Sequence, residues 1–171
     1  MVFATLIHDA PIGVGFMEQS EVIATLNGLF ATINDVEDGF LTCAEQVKSA
    51  DVQALLDRAA KFYQDRSAVL EATIKEFGGE ADTSESLTGT LHCAWLDVMS
   101  SIADMDDHAI LAECERGEAA IKAAYESALA QDLPEPIRQM VEQQFESVKH
   151  DDEIRGFRDA LWKTENSADD S

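Results

Sequence analysis

From Val22 onward the apolar residues fall at Val22, Leu26, Leu29, Ile33, Val36, Phe40, Cys43 and Val47, in alternating steps of four and three. That spacing lays one continuous seam along a helix, as in the wall of a helical bundle. Ser20 is placed to cap its start, and Ser49-Ala50-Asp51 marks a tight reversal before the next helical pattern. The second pattern turns Val52, Leu55, Leu56, Ala59, Phe62, Tyr63, Leu70, Thr73 and Phe77 to one side and stops at Gly78-Gly79. The first two helices are therefore expected to form an antiparallel hairpin.

A polar stretch from Gly78 to Ser86 leads into a shorter pattern, with Leu87, Leu91, Trp95, Val98 and Ile102 on one side. A helix of that length spans about 24 Å, which with its flanking loops returns the chain to the far end of a bundle. Asp106 or Asp107 then caps a helix whose seam is Ile110, Cys114, Gly117, Ile121, Ala124 and Ala128, and Gly117 permits close approach of a neighbour. Asp132-Leu133-Pro134 opens the final helix. Its inward stripe begins as Ile137, Val141, Gln144 and Val148 and continues as Asp151, Arg155 and Trp162, while Ile154, Phe157 and Leu161 emerge on nearly the opposite side. Two coverings suit that second stripe: the apolar segment Met1 to Phe16, or a second subunit, most simply in a homodimer.

The pattern is all-α, and 171 residues make one domain with a real core. It divides into an N-terminal arm (1–19), a bundle (20–163) and an acidic tail (164–171) expected to be disordered. Charge then narrows the partners. With 34 acidic against 12 basic side chains the net charge is −22, which repels phosphate backbones and anionic lipid. Nucleic acid and membrane are excluded as expected partners, and the same field favours basic protein segments and cations. The start of the chain has no basic residue before its short apolar run, unlike a secretory signal. Cys43, Cys93 and Cys114 are odd in number and far apart, without CxxC spacing, so neither a disulfide framework nor a zinc site is suggested and a cytoplasmic setting fits best.

Two helical hairpins joined by a long crossover carrying a short fifth helix is the ferritin-like four-helix topology. Leu91-His92-Cys93-Ala94-Trp95, then Glu113-Cys114-Glu115-Arg116-Gly117-Glu118 with Tyr125, then Asp132-Leu133-Pro134, resemble a bacterial family of ferritin-like four-helix-bundle proteins of unknown function. The likeness covers roughly residues 20 to 160 and implies a fold and a bacterial origin but no reaction. Members of that family carry a His-Asp pair late in the last helix, and His150-Asp151-Asp152 occupies that neighbourhood here.

Candidate chemistry gathers inside the bundle. Counting back from the turns sets Glu37 and Arg66 at similar heights on facing helices, and Glu118 opposite Val148, between Gln144 and Asp151. Tyr63 and Tyr125 are in reach of the same region. A ferritin-like di-iron centre uses a Glu from each of two helices and a Glu-x-x-His from each of the others. Here the second helix offers Asp65, Arg66 and Glu71 without histidine, and Glu146 and His150 are four apart. The first reading is a metal-free polar network: Arg66 in the dry interior pairs with Glu118 or Glu37, and Tyr63, Tyr125 and Gln144 complete it. The alternative is a degenerate carboxylate site at Glu37, Glu118 and Asp151 that takes iron or manganese. His92 reads as a structural histidine, and the Asp104, Asp106, Asp107 and His108 cluster reads as helix capping rather than a calcium loop. No nucleophile stands beside a base. The expected function is non-enzymatic, through self-association or a protein partner in a stress setting, with no cofactor. The association surface is expected at Ile154, Phe157 and Leu161.

Overall fold

The computed structural model describes residues 17–83, 100–149 and 153–168. Among these residues every long element is an α-helix. The N-terminal arm to Phe16, the crossover pattern from Leu87 to Val98 with His92, Cys93 and Trp95, and His150-Asp151-Asp152 lie outside them.

The first helix, α1 (Gln19–Gln46), starts one step before the expected cap. The Glu18 backbone N–H donates to the Glu21 carboxylate at 2.9 Å, the reciprocal half of a capping box, and Ser20 lies inside the first turn. Seven of the eight seam positions, Val22 through Cys43, are buried, and Val47 is half-buried at the turn. From Leu26 to Ile33 every residue is buried, polar Asn27 and Thr32 included. Both are hydrogen-bonded, one within the helix and one beyond it. Thr32 donates to the Gly28 carbonyl at 2.9 Å. The Asn27 side chain donates to the Glu80 carbonyl at 3.0 Å and accepts from the Asp82 N–H at 2.9 Å, which straps the loop after the second helix onto α1.

The second helix, α2 (Ala50–Glu76), returns antiparallel to α1. Ser49 caps it by accepting from the Val52 N–H at 3.4 Å, and Gly78 ends it at φ 81°, a left-handed conformation that glycine adopts without a Cβ clash. Its buried stripe differs from the expected one by a small rotation. Tyr63 and Leu70 are buried, Phe62 is half-buried and Val69 is 46% exposed. Between the two buried turns, Ser67 at 5% exposure takes the inward place and accepts from the Asn34 side chain at 2.9 Å. A helix of 3.6 residues per turn drifts against a seven-residue seam, which here passes between Arg66 and Ser67, and the contact with Asn34 seats the serine inward.

A short 3-10 turn (Ile102–Asp104) precedes α3 (Asp107–Leu129). Asp106 caps α3, accepting from the Ala109 N–H at 2.8 Å. Asp107 does something the sequence did not suggest: its two carboxylate oxygens accept from the Lys48 and Ser49 backbone N–H groups, both at 2.8 Å. An anion from α3 thereby occupies the positive N-terminus of α2. Farther along, α3 runs antiparallel to α1. A Cβ on Gly117 would lie 3.0 Å from Val36 Cγ1, so the missing side chain is what lets the two helices approach. The seam Ile110, Cys114, Gly117, Ile121, Ala124 and Ala128 is buried throughout.

Arg138 closes the next connection by donating to the Leu129 and Gln131 carbonyls at 2.9 and 2.6 Å, covering the C-terminus of α3. The following helix, α4 (Glu135–Lys149), buries Ile137, Val141, Gln144 and Val148, the stripe read from the sequence. The last helix, α5 (Glu153–Ala168), extends past Lys163 into the segment expected to be disordered. Thr164 supports the extension by donating to the Leu161 carbonyl at 2.8 Å. Replacing Asp107 by alanine is expected to cost about 2 kcal/mol, because two charge-assisted hydrogen bonds to a helix N-terminus are lost together. Urea denaturation of Asp107→Ala beside Asp106→Ala measures the two caps separately.

Candidate functional site

The interior polar residues sort into two groups. The first joins α2, α3 and α4. The Tyr125 hydroxyl donates to Gln144 Oε1 at 2.8 Å in a fully buried contact, and Gln144 Nε2 donates to the Arg66 carbonyl at 3.3 Å. Ser147 donates to the Gln144 carbonyl at 2.6 Å and accepts from Arg66 Nη2 at 2.7 Å. Arg66 itself is half-buried, not dry. Its guanidinium lies over the Phe62 ring, 3.1 Å from the centroid, and donates to the Phe62 carbonyl at 2.8 Å. The reading of Arg66 as a residue of the dry interior is therefore corrected: the helix rotation that seats Ser67 inward carries Arg66 to the α2–α4 edge. Burial holds the Tyr125 hydroxyl protonated well above its ordinary range, and the Arg66 charge opposes that only partly. Tyr63 is fully buried and meets Phe40 and Phe62 edge-on, at 5.7 and 5.2 Å between centroids.

The second group is anionic. Glu37 is 9% exposed and Glu118 4%. Burial first, and the neighbouring Asp38 second, push the Glu37 carboxyl above its ordinary 4.5, while Gln64 and Lys61 across on α2 pull it back. Glu37 follows Val36 and Glu118 follows Gly117, but α1 and α3 run antiparallel, so the two carboxylates step away from that contact in opposite directions, Glu37 toward Lys61 and Gln64 of α2 and Glu118 beside Cys114. Asp151, the third expected carboxylate, lies outside the described residues. Among the described residues no group of three or more His, Cys, Asp and Glu side chains is placed to hold a metal. An open cleft of about 350 Å³ between the start of α1 and the loop at Glu80 and Asp82 is lined mainly by the strapped backbone and by Ser20 and Asn27.

The antiparallel register that sets Gly117 on Val36 also brings together two residues that sequence reading kept apart. Cys43 and Cys114 are each fully buried and both free, and the two thiols are neighbours across the α1–α3 face. That contact, then burial and the Glu118 charge, raise Cys114 well above an ordinary thiol. The signal was present: both cysteines sit on inward seams. It needed the α1–α3 register to become a pair.

The stripe expected to associate is largely taken up by the chain itself. Ile154 is 1% exposed in the core, and Phe157 and Leu161 pack half-buried against it. This overturns Ile154 as a surface residue. The other stripe turns outward along α3: Arg155 and Arg158 both ion-pair with Glu115, the former at 2.9 Å, and Trp162 rests against His108 at 5.3 Å between centroids. Trp162 is still 56% exposed.

Polar side chains spent mainly on fastening one helix to another, inside an apolar interior, define an all-helical bundle protein. The chain belongs to the family described as Domain of unknown function (DUF2383), whose model matches residues 21–131. No curated protein matches it. Among the described residues no helix is long and apolar enough to cross a membrane.

Two stability measurements check this site. Arg66→Ala is expected to cost about 2 kcal/mol, the scale of half-exposed hydrogen bonds to Ser147 and the Phe62 carbonyl together with a ring contact. Glu37→Gln is expected to raise the denaturation midpoint at neutral pH. A carboxyl whose folded pKa exceeds its unfolded one destabilises the fold above the folded value, and the penalty disappears below the unfolded one. The gain should therefore vanish as the pH falls below about 4.5.

Proposed function

We propose that the chain is a ferritin-like four-helix bundle that works without catalysis, through association with a second copy of itself or with a protein partner. The observation that carries this reading is the engagement of the interior side chains: Tyr125, Gln144, Ser147, Asn34 and Ser67 are committed to contacts between or within helices. Such contacts fix packing and register rather than supply a reacting group. The surface we assign to association is the outward flank of α5 at Trp162, which packs one face on His108 and leaves the rest open. A large, mostly exposed indole is the composition of an interface anchor. A cytoplasmic setting goes with this reading through the two free buried thiols. Bacterial origin and a role under stress rest on the resemblance alone.

A second reading is favoured by one specific observation, two buried carboxylates on the helices that meet at Val36 and Gly117. In it Glu37 and Glu118, completed by Asp151, hold iron or manganese, as hard oxygen donors suit such ions. The metal would lower the cost of ionising Glu37 in the interior.

Light scattering across a concentration series separates the two. A dimeric mass that Trp162→Asp returns to a monomer supports association. A monomer at every concentration, with one or two equivalents of iron or manganese retained after purification without chelator and lost in Glu118→Ala, would replace it by the metal reading.

A further inference from the structure

We infer that Cys43 and Cys114 form a latent modification site, in which a hydroperoxide converts the two thiols into a disulfide that ties α1 to α3. The inference stands apart from the function proposed above and rests on packing. The two residues come from the facing seams of different helices, both have no exposed surface, and they lie between two contacts that fix the α1–α3 register, Gly117 at Val36 and Asp107 at Lys48 and Ser49. A disulfide needs Cα atoms about 5.5–6 Å apart, closer than helices at ordinary spacing usually bring them. One turn from Cys114 the helices are drawn together at Gly117, where an added Cβ would sit 3.0 Å from Val36. The close approach is thus next to the pair that needs it. Asp107 holds the other side of the same contact, fixing the start of α3 against the α1–α2 turn.

The chemistry balances. The O–O bond of the hydroperoxide breaks as one sulfur takes an oxygen to become a sulfenic acid, and water or an alcohol leaves. The second sulfur displaces that oxygen as water, forming the S–S bond, so the pair loses two protons and two electrons and the peroxide gains them. The reaction should be slow. The Cys43 thiol beside it, then burial and the neighbouring Glu118, keep Cys114 protonated, and the thiolate is the species that attacks. Its rate is set by local opening of the α1–α3 face, so the site records sustained rather than brief exposure. Once formed, the bond closes a long loop running through the whole of α2, which restricts the unfolded chain and raises stability.

The test uses the full-length chain carrying Cys93→Ser, so that the third thiol does not compete. It is incubated in native buffer with hydrogen peroxide, then alkylated under denaturing conditions and mapped by mass spectrometry. The expected result is a Cys43–Cys114 linked peptide that accumulates over hours, with a urea midpoint raised by about 1 M and returned by dithiothreitol. Two freely alkylatable thiols, sulfinic acid at either position, or a linked peptide that forms only after the protein is unfolded would overturn the inference. Cys43→Ser should abolish the midpoint rise, and if that variant does not fold the peptide map decides alone.

Discussion

The carboxylate of Asp107 holds the molecule's two halves in register. It accepts from two adjacent backbone N–H groups at the N-terminus of α2 while sitting in the first turn of α3. Those N–H groups have no partner within their own helix, and the positive end of the α2 dipole favours an anion there. One side chain therefore sets where α3 begins relative to the α1–α2 hairpin. The contacts farther along α3 are consistent with that starting point: Gly117 on Val36, Cys114 on Cys43, and Tyr125 at the height of Gln144.

Within this register the polar residues divide by helix face. Those at the α2–α4 edge form a connected set, in which Gln144 reads the Tyr125 hydroxyl on one side and the backbone of α2 on the other. Arg66 contributes its carbonyl to the buried part and its guanidinium to the half-exposed part. The anionic residues sit differently. Glu37 answers to Lys61 and Gln64 on α2, and Glu118 lies beside the Cys43–Cys114 contact. The interior thus carries a neutral network and a charged region, and the two readings of function follow from which is given more weight.

The outer flank is built on another principle. Two arginines of α5 converge on Glu115 of α3, and a tryptophan two turns on covers His108. Surface ion pairs contribute little to stability singly, but this set positions α5 so that Ile154 enters the core and Trp162 does not. An exposed indole is the consequence of that orientation.

The helices were legible in the sequence because a seam of apolar residues every three or four positions has few other ways to be buried. The α1 and α3 seams, the α4 stripe, the stop at Gly78 and the close approach at Gly117 all followed from local spacing. What spacing could not fix was rotation and partnership. Arg66 and Ser67 are equally compatible with a seam that passes between them, and only packing against Asn34 chose the serine. The stripe of α4 does not continue unchanged into α5, because the Arg155 and Arg158 contacts with Glu115 draw a different face inward. Cys43 and Cys114 are distant in sequence and meet only through the register of two antiparallel helices. Periodicity determined which residues needed burial, and tertiary structure decided what they were buried against, since the partner of a helix face lies on another part of the chain.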